Sequence, residues 1–121
     1  MASTRSSTWQ VACLCAEWCN VCRDWRAGFE ALRVRHPGAS FHWIDVEDEA
    51  EAMGDYDVET FPTLLVAQGD RVLFLGPVPP SAAQASRLLD RLSSQDAGDI
   101  AQPDHAIELL HRLKASLLLD R

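Results

Sequence analysis

Cys19 and Cys22 lie two residues apart in Trp18-Cys19-Asn20-Val21-Cys22. That spacing lets two sulfurs close a small disulfide. An apolar strand pattern ends just before the pair and a helical pattern begins at it. A helix starting at Cys19 would aim its unpaired N–H groups at that sulfur, which favours thiolate over thiol. Thiolates, not thiols, attack disulfides. The pair therefore reads first as a dithiol/disulfide oxidoreductase centre, with Cys19 as nucleophile and Cys22, one turn further in, as the resolving thiol. A silent pair kept for packing is the competing reading.

Two more cysteines, Cys13 and Cys15, alternate onto one face of the preceding strand. Their plain reading is as small buried apolar residues. A sharper one has one of them exchanging with Cys22 or acting as a redox backup. A third counts Cys13, Cys15, Cys19 and Cys22 as the four sulfurs that zinc or an iron–sulfur cluster takes. Two of the four would sit on a rigid strand, where tetrahedral convergence is awkward, so no metal and no bound cofactor is expected. All four cysteines fall within ten residues, which suits a site better than a scaffold of disulfide staples. His36, His42, His105 and His111 show no ligand spacing and read as structural or surface residues.

Positioning such a pair takes a sheet and helices. Trp9–Ala16 reads as a buried strand. From Cys19 to about Arg35, Val21, Cys22, Trp25, Phe29, Leu32 and Val34 recur at helical steps, with arginines and acids between them. His36-Pro37-Gly38 stops that helix. Residues 40–46 alternate as a second strand, and an acidic segment from Glu47 to about Tyr56 reads as a short helix whose charges face solvent. Thr63–Ala67 and Arg71–Leu75 form a hairpin around Gly69. Gly76 and prolines 77, 79 and 80 make a loop. Ser81 caps a helix running to about Leu92, with Ala85, Leu88, Leu89 and Leu92 on one face. Residues 93–103 read as a linker. Asp104 caps a last helix with an apolar stripe of Ile107, Leu110, Leu113 and Leu117. The order β-α-β-α-β-β-α, then one more helix, implies a right-handed parallel crossover followed by antiparallel pairing: a mixed sheet between helices.

Ala16-Glu-Trp-Cys-Asn-Val-Cys22, Asp45-Val46 closing the second strand, Thr60-Phe-Pro-Thr63 and Gly76 together resemble the thioredoxin superfamily over about Trp9 to Leu92. The resemblance implies a three-layer α/β/α fold with a mixed four-stranded sheet. Only eight residues precede Trp9, so the family's first strand and helix are expected to be missing. The C-terminal helix is then an addition that covers the surface their loss exposes. The expected divisions are a flexible N-terminus at 1–8, a thioredoxin-like domain at 9–92, a linker at 93–103 and the extra helix at 104–121.

The resemblance further implies a cis peptide bond before Pro62, with the Phe61 backbone binding extended substrate by strand addition and Trp18 forming an apolar rim. Trp18, Phe61 and Pro62 are thus the expected substrate-binding residues. Thioredoxins carry Gly-Pro where this chain carries Asn20-Val21. The buried acid that serves the second thioredoxin cysteine aligns with Cys13, and a lysine near it with Trp43. Glu17 and Asp45 are the nearest acids in sequence that could replace it.

A net charge of −7 over 121 residues argues against nucleic acid, whose phosphates reward Lys and Arg. No run reaches the roughly 20 apolar residues of a membrane helix, and the N-terminus does not read as a secretory signal. The expectation is a cytoplasmic monomer acting on disulfide-containing protein substrates with an external electron donor. The last helix, with Leu117–Leu119, is a candidate partner surface. Two other classes compete: a thioredoxin-fold binding module without turnover, and the metal or cluster carrier.

Overall fold

In the computed structural model the described residues are 9–54, 56–69, 71–94 and 104–117. The expectations for residues 1–8, 95–103 and 118–121 lie outside them. Four strands form one sheet in the order β2-β1-β3-β4: β1 Trp9–Cys15, β2 Ala39–Asp45, β3 Thr63–Gln68 and β4 Arg71–Pro77. β1 pairs parallel with β2 and antiparallel with β3, and β3 pairs antiparallel with β4. The sheet is mixed, and the class is α/β. The helices are α1 Asn20–Arg35, α2 Ala50–Met53, α3 Ala82–Ser94 and α4 Asp104–Leu117.

β1 is central and buried on both sides, so its residues split by parity between two cores. Val11, Cys13 and Cys15 face the cluster formed with Trp25, Phe29 and Leu32 of α1 and Ala85, Leu89 and Leu92 of α3. Ala12 and Leu14 face the cluster formed with Ala52 and Met53 of α2 and Ala106, Leu109, Leu110 and Leu113 of α4. The two helix pairs and the sheet make three layers.

α4 takes its place through the spacing 106, 109, 110 and 113, which is one helical face. All four of those side chains are fully buried. The expected stripe began at Ile107, but Ile107 is only partly buried. The face that packs is centred on Leu109 and Leu110 instead. Arg112 fastens α4 to α2, its Nε donating to the carbonyl of Ala52 (3.1 Å) and an Nη to that of Met53 (2.9 Å). Both carbonyls lie in the last turn of a four-residue helix, where intrahelical partners run out, and that of Met53 accepts from the Tyr56 N–H as well, at 3.1 Å. Gly54 follows at φ 59°, and a Cβ there would lie 2.6 Å from Arg112 Nε, so both backbone and neighbour require glycine. Lys114 Nζ donates to the carbonyl of Gly69 in the hairpin turn, at 2.7 Å.

Several boundaries differ from expectation. β4 runs through Gly76 to Pro77 instead of ending at Leu75. It is an edge strand, where proline's missing N–H is tolerated. α2 spans only Ala50–Met53, because Asp45 gathers the residues before it into a turn. Its Oδ1 accepts from the N–H groups of Glu47 (2.9 Å) and Asp48 (3.1 Å). Val21 and Val34 of α1 are 43% and 79% exposed and do not join the apolar face. Ser81 does cap α3, its Oγ accepting from Gln84 N–H at 3.3 Å. His36 at the end of α1 is hydrogen-bonded to Ser86 of α3 (2.9 Å), tying together the two helices over the cysteine face.

Leu110→Ala should lower unfolding free energy by about 2–5 kcal/mol, the range for emptying a fully buried leucine site. Urea denaturation measures it. A loss below about 0.5 kcal/mol, the size of an ordinary surface change, would mean that α4 is not part of the cooperative core.

Candidate functional site

The site forms where β1 ends and α1 begins. Ala16 to Trp18 make the connection, and the N–H of Cys19 donates to the carbonyl of Ala16 at 3.1 Å. Cys19 is the N-cap of α1, in extended conformation. Its sulfur is not disulfide-bonded and its side chain is only partly buried, packed against the cluster beneath. Cys22 is on the third helical residue and fully buried. Residues three apart on a helix share a face, so Cys19 and Cys22 project from one side of the first turn.

Cys22 is not bonded to Cys19. Its disulfide is with Cys15, seven residues earlier, at a Cα–Cα distance of 5.9 Å. The sequence offered this pairing only as an alternative, and the packing explains how it arises. Cys15 is the last residue of β1 and points to the α1 side. α1 is laid across that side by Trp25, Phe29 and Leu32, which brings its first buried residue, Cys22, over Cys15.

Cys13 is the remaining free thiol and is fully buried. Burial pushes its pKa up from an ordinary 9.0 to about 12, against a smaller lowering by its hydrogen bond from Trp25. The indole Nε1–H donates to Cys13 Sγ at 3.2 Å. Cys13 Sγ is 3.6 Å from Cys15 Sγ. Since Cys15 is in a disulfide and carries no hydrogen, the Cys13 S–H is the donor between them. The position that aligned with thioredoxin's acid is therefore a protonated thiol, opposite Trp43 in the β1–β2 register.

Neither acid suggested as its replacement is hydrogen-bonded to a cysteine sulfur, whose partners are Trp25 and another cysteine. Asp45 accepts at Oδ2 from the Glu17 N–H at 2.9 Å, and its Oδ1 holds the turn before α2. It braces the loop carrying Trp18. Glu17 supplies a carbonyl to an Arg23 Nη at 2.7 Å, and Arg23 also bonds Asn20 Oδ1, which locks the first turn of α1 from outside.

Trp18 is 60% exposed yet anchored. Its Nε1–H donates to Glu47 Oε2 at 2.8 Å, and its ring meets Phe61 edge to face at 5.5 Å. The Phe61–Pro62 peptide is cis. The carbonyl of Pro62 accepts from the Val78 N–H at 3.0 Å, holding the loop against the end of β4. Trp18 thus joins the cysteine turn to the Pro62 loop. The two rings form one wall of a groove of about 440 Å³ that also touches Glu47, Tyr56, Asp57 and Glu59. Glu47 as the tryptophan's anchor was missed in the sequence, where it counted as one of several solvated acids. Its place two residues past the end of β2 becomes informative only once Asp45 is paired with Cys15 at the end of β1.

Among the described residues, no three His, Cys, Asp or Glu side chains are grouped to hold a metal ion. No helix among them is long and apolar enough to cross a membrane.

The thioredoxin family model matches residues 4–81. The chain belongs to the thioredoxin family. A thioredoxin H-type of Oryza sativa subsp. indica is 36% identical over 62 residues, covering 48% of this chain and 51% of that protein. The chain thus spans about half the length of the curated relative it matches. Among solved structures, thioredoxin from Trypanosoma brucei brucei superposes with a TM-score of 0.64 at 19% identity, covering 78% of this chain and 83% of that one. Fasciola hepatica thioredoxin gives 0.63 at 22%, covering 74% and 86%. Identities this low speak to the shared thioredoxin fold.

The raised pKa of Cys13 has a stability consequence. The folded state disfavours the Cys13 thiolate, so its contribution is complete below the unfolded-chain value of 9.0 and is lost as pH rises toward about 12. Urea midpoints from pH 8 to 11 should fall more steeply for the wild type than for Cys13→Ala, with both proteins in the same redox state. Parallel profiles would show that Cys13 is not a buried thiol.

Proposed function

We propose that the protein catalyses thiol–disulfide exchange, reducing protein disulfides in the cytoplasm with electrons from an external donor. The observation that carries this reading is the unbonded, partly exposed Cys19 at the α1 N-cap, one turn from a Cys22 that is itself in a disulfide. A sulfur at a helix N-terminus meets the positive end of the backbone dipoles. A neighbouring cysteine found oxidised shows that this corner of the fold accommodates S–S bonds.

In the reduced protein the Cys19 thiolate attacks one sulfur of a substrate disulfide. A mixed disulfide forms and the other substrate sulfur leaves as thiolate. Cys22 then attacks Cys19 Sγ, which releases the second substrate thiol and leaves a Cys19–Cys22 disulfide. Two electrons pass from the protein to the substrate, and a dithiol donor restores them. Exchange needs no bound cofactor, because both sulfurs come from the chain.

Trp18, Phe61 and Pro62 bind the substrate in this reading. An extended peptide beside the cysteines would lie against the Trp18 and Phe61 rings and pair with the Phe61 backbone as an added strand. The edge-to-face contact and the Glu47 bond keep that wall fixed, so less ordering remains to be done on binding.

Cys19→Ser should abolish reduction of a protein disulfide such as that of insulin, while Cys22→Ser should accumulate a mixed disulfide at Cys19 that mass spectrometry detects. Full activity in Cys19→Ser would overturn the assignment. Pro62→Ala should raise KM for a protein disulfide more than for a small one. Unchanged kinetics on both would remove the loop from the substrate site.

A further inference from the structure

We propose that Cys15 is a third exchange cysteine, which takes Cys22 away from Cys19 and stores the protein's oxidising equivalent as a disulfide inside the core. The inference rests on the thiol-exchange reading above and adds a step after it.

Cys22 has two possible partners. Cys19 stands beside it on the same face of α1, and Cys15 lies beneath it at the end of β1. The structure holds the second pairing, with Cys15 and Cys22 only 1% and 0% exposed and Cys19 left as a thiol. Two buried sulfurs are closed to a protein substrate or an external donor. Cys19 is the one sulfur of the three that reaches solvent, so electrons enter and leave the buried bond through it.

The transfer is an isomerisation. Cys15, as thiolate, attacks Cys22 Sγ in the Cys19–Cys22 disulfide. The Cys15–Cys22 bond forms, the Cys19–Cys22 bond breaks, and Cys19 departs with the electron pair as a thiolate. The proton given up by Cys15 is balanced by the one Cys19 gains, and nothing is oxidised or reduced overall. In reverse, Cys19 attacks Cys22 and Cys15 becomes the leaving group. Cys13 is placed to assist both directions. Its Sγ lies 3.6 Å from Cys15 Sγ and itself accepts from the Trp25 indole N–H at 3.2 Å. A hydrogen bond to a thiolate stabilises it as leaving group or attacker. A carboxylate there, as thioredoxins have, could not donate while ionised.

The relay changes what the oxidised protein presents. With the bond parked between Cys15 and Cys22, the surface shows a free Cys19 thiol.

The test follows the disulfides in time. Reduced protein is mixed with one equivalent of oxidised glutathione, quenched in acid at intervals, alkylated and mapped by non-reducing digestion and mass spectrometry. Cys19–Cys22 should appear first, then be replaced by Cys15–Cys22, while the total number of disulfides stays constant. Cys19 should regain reactivity to iodoacetamide in the folded protein as this happens. In Cys15→Ala the Cys19–Cys22 bond should persist and Cys19 should stay unreactive. A wild type that keeps Cys19–Cys22 with Cys15 as a thiol overturns the relay but leaves the thiol-exchange reading standing. Cys15–Cys22 forming equally fast in Cys19→Ser also overturns it, since Cys19 would not be the entry point. If Cys19 forms neither a mixed disulfide nor a bond to Cys22, the exchange reading itself fails, and the relay with it.

Discussion

The strict alternation of side chains along β1 is the constraint on which the rest depends. The strand is covered on both faces, so each residue must fit one of two cores, and a one-residue slip would exchange them. Ala12 and Leu14 go to the α2–α4 side, and Val11, Cys13 and Cys15 to the α1–α3 side. That parity puts two sulfurs directly beneath the helix that carries Cys22. The same alternation keeps Cys13 buried and protonated between Trp25 and Cys15. The chemistry at the end of the strand is therefore set by packing along its length.

The exposed half of the site is built differently. Trp18 cannot be held by burial, since most of its ring meets solvent. It is held by one hydrogen bond to Glu47 and one aromatic contact with Phe61. Asp45 supports both from behind, bonding the Glu17 N–H on one side and the turn of Glu47 and Asp48 on the other. A carboxylate at the end of β2 thereby ties the cysteine loop to the segment that anchors the tryptophan. α4 contributes at a distance. It completes the second core against Ala12, Leu14 and Leu65, and through Arg112 it finishes the short helix α2 that follows this turn.

Much of this was legible in the sequence because it follows period. The unbroken apolar run of β1, the alternation of β2, the helical steps Cys22-Trp25-Phe29-Leu32 and the glycine turn at Gly69 each imply their element, and the Trp-Cys-x-x-Cys and Thr-Phe-Pro-Thr motifs together imply the family. What was not legible depends on contacts between distant segments. Proximity in sequence favours Cys19 as the partner of Cys22, whereas the crossing of α1 over β1 selects Cys15. Nothing local distinguishes Glu47 from its acidic neighbours until the end of β2 is seen beside that of β1. Ile107 and Leu109 are equally apolar, and only the seating of α4 on the sheet decides which is fully buried. Val21 and Val34 show the limit of periodicity, because apolar residues near a helix's ends can lie beyond the surface that covers its middle.

The most direct test of Cys15, Cys19 and Cys22 as the exchanging sulfurs is an equilibrium redox titration of the intact chain in graded glutathione buffers, with thiols trapped by alkylation and counted by mass spectrometry. That assignment predicts one two-electron transition in which two of the four thiols are lost and Cys13 remains a thiol throughout. For a cytoplasmic reductant its midpoint should lie nearer about −270 mV than about −120 mV. A protein that shows no transition across the series, or in which Cys13 is among the residues oxidised, would contradict it.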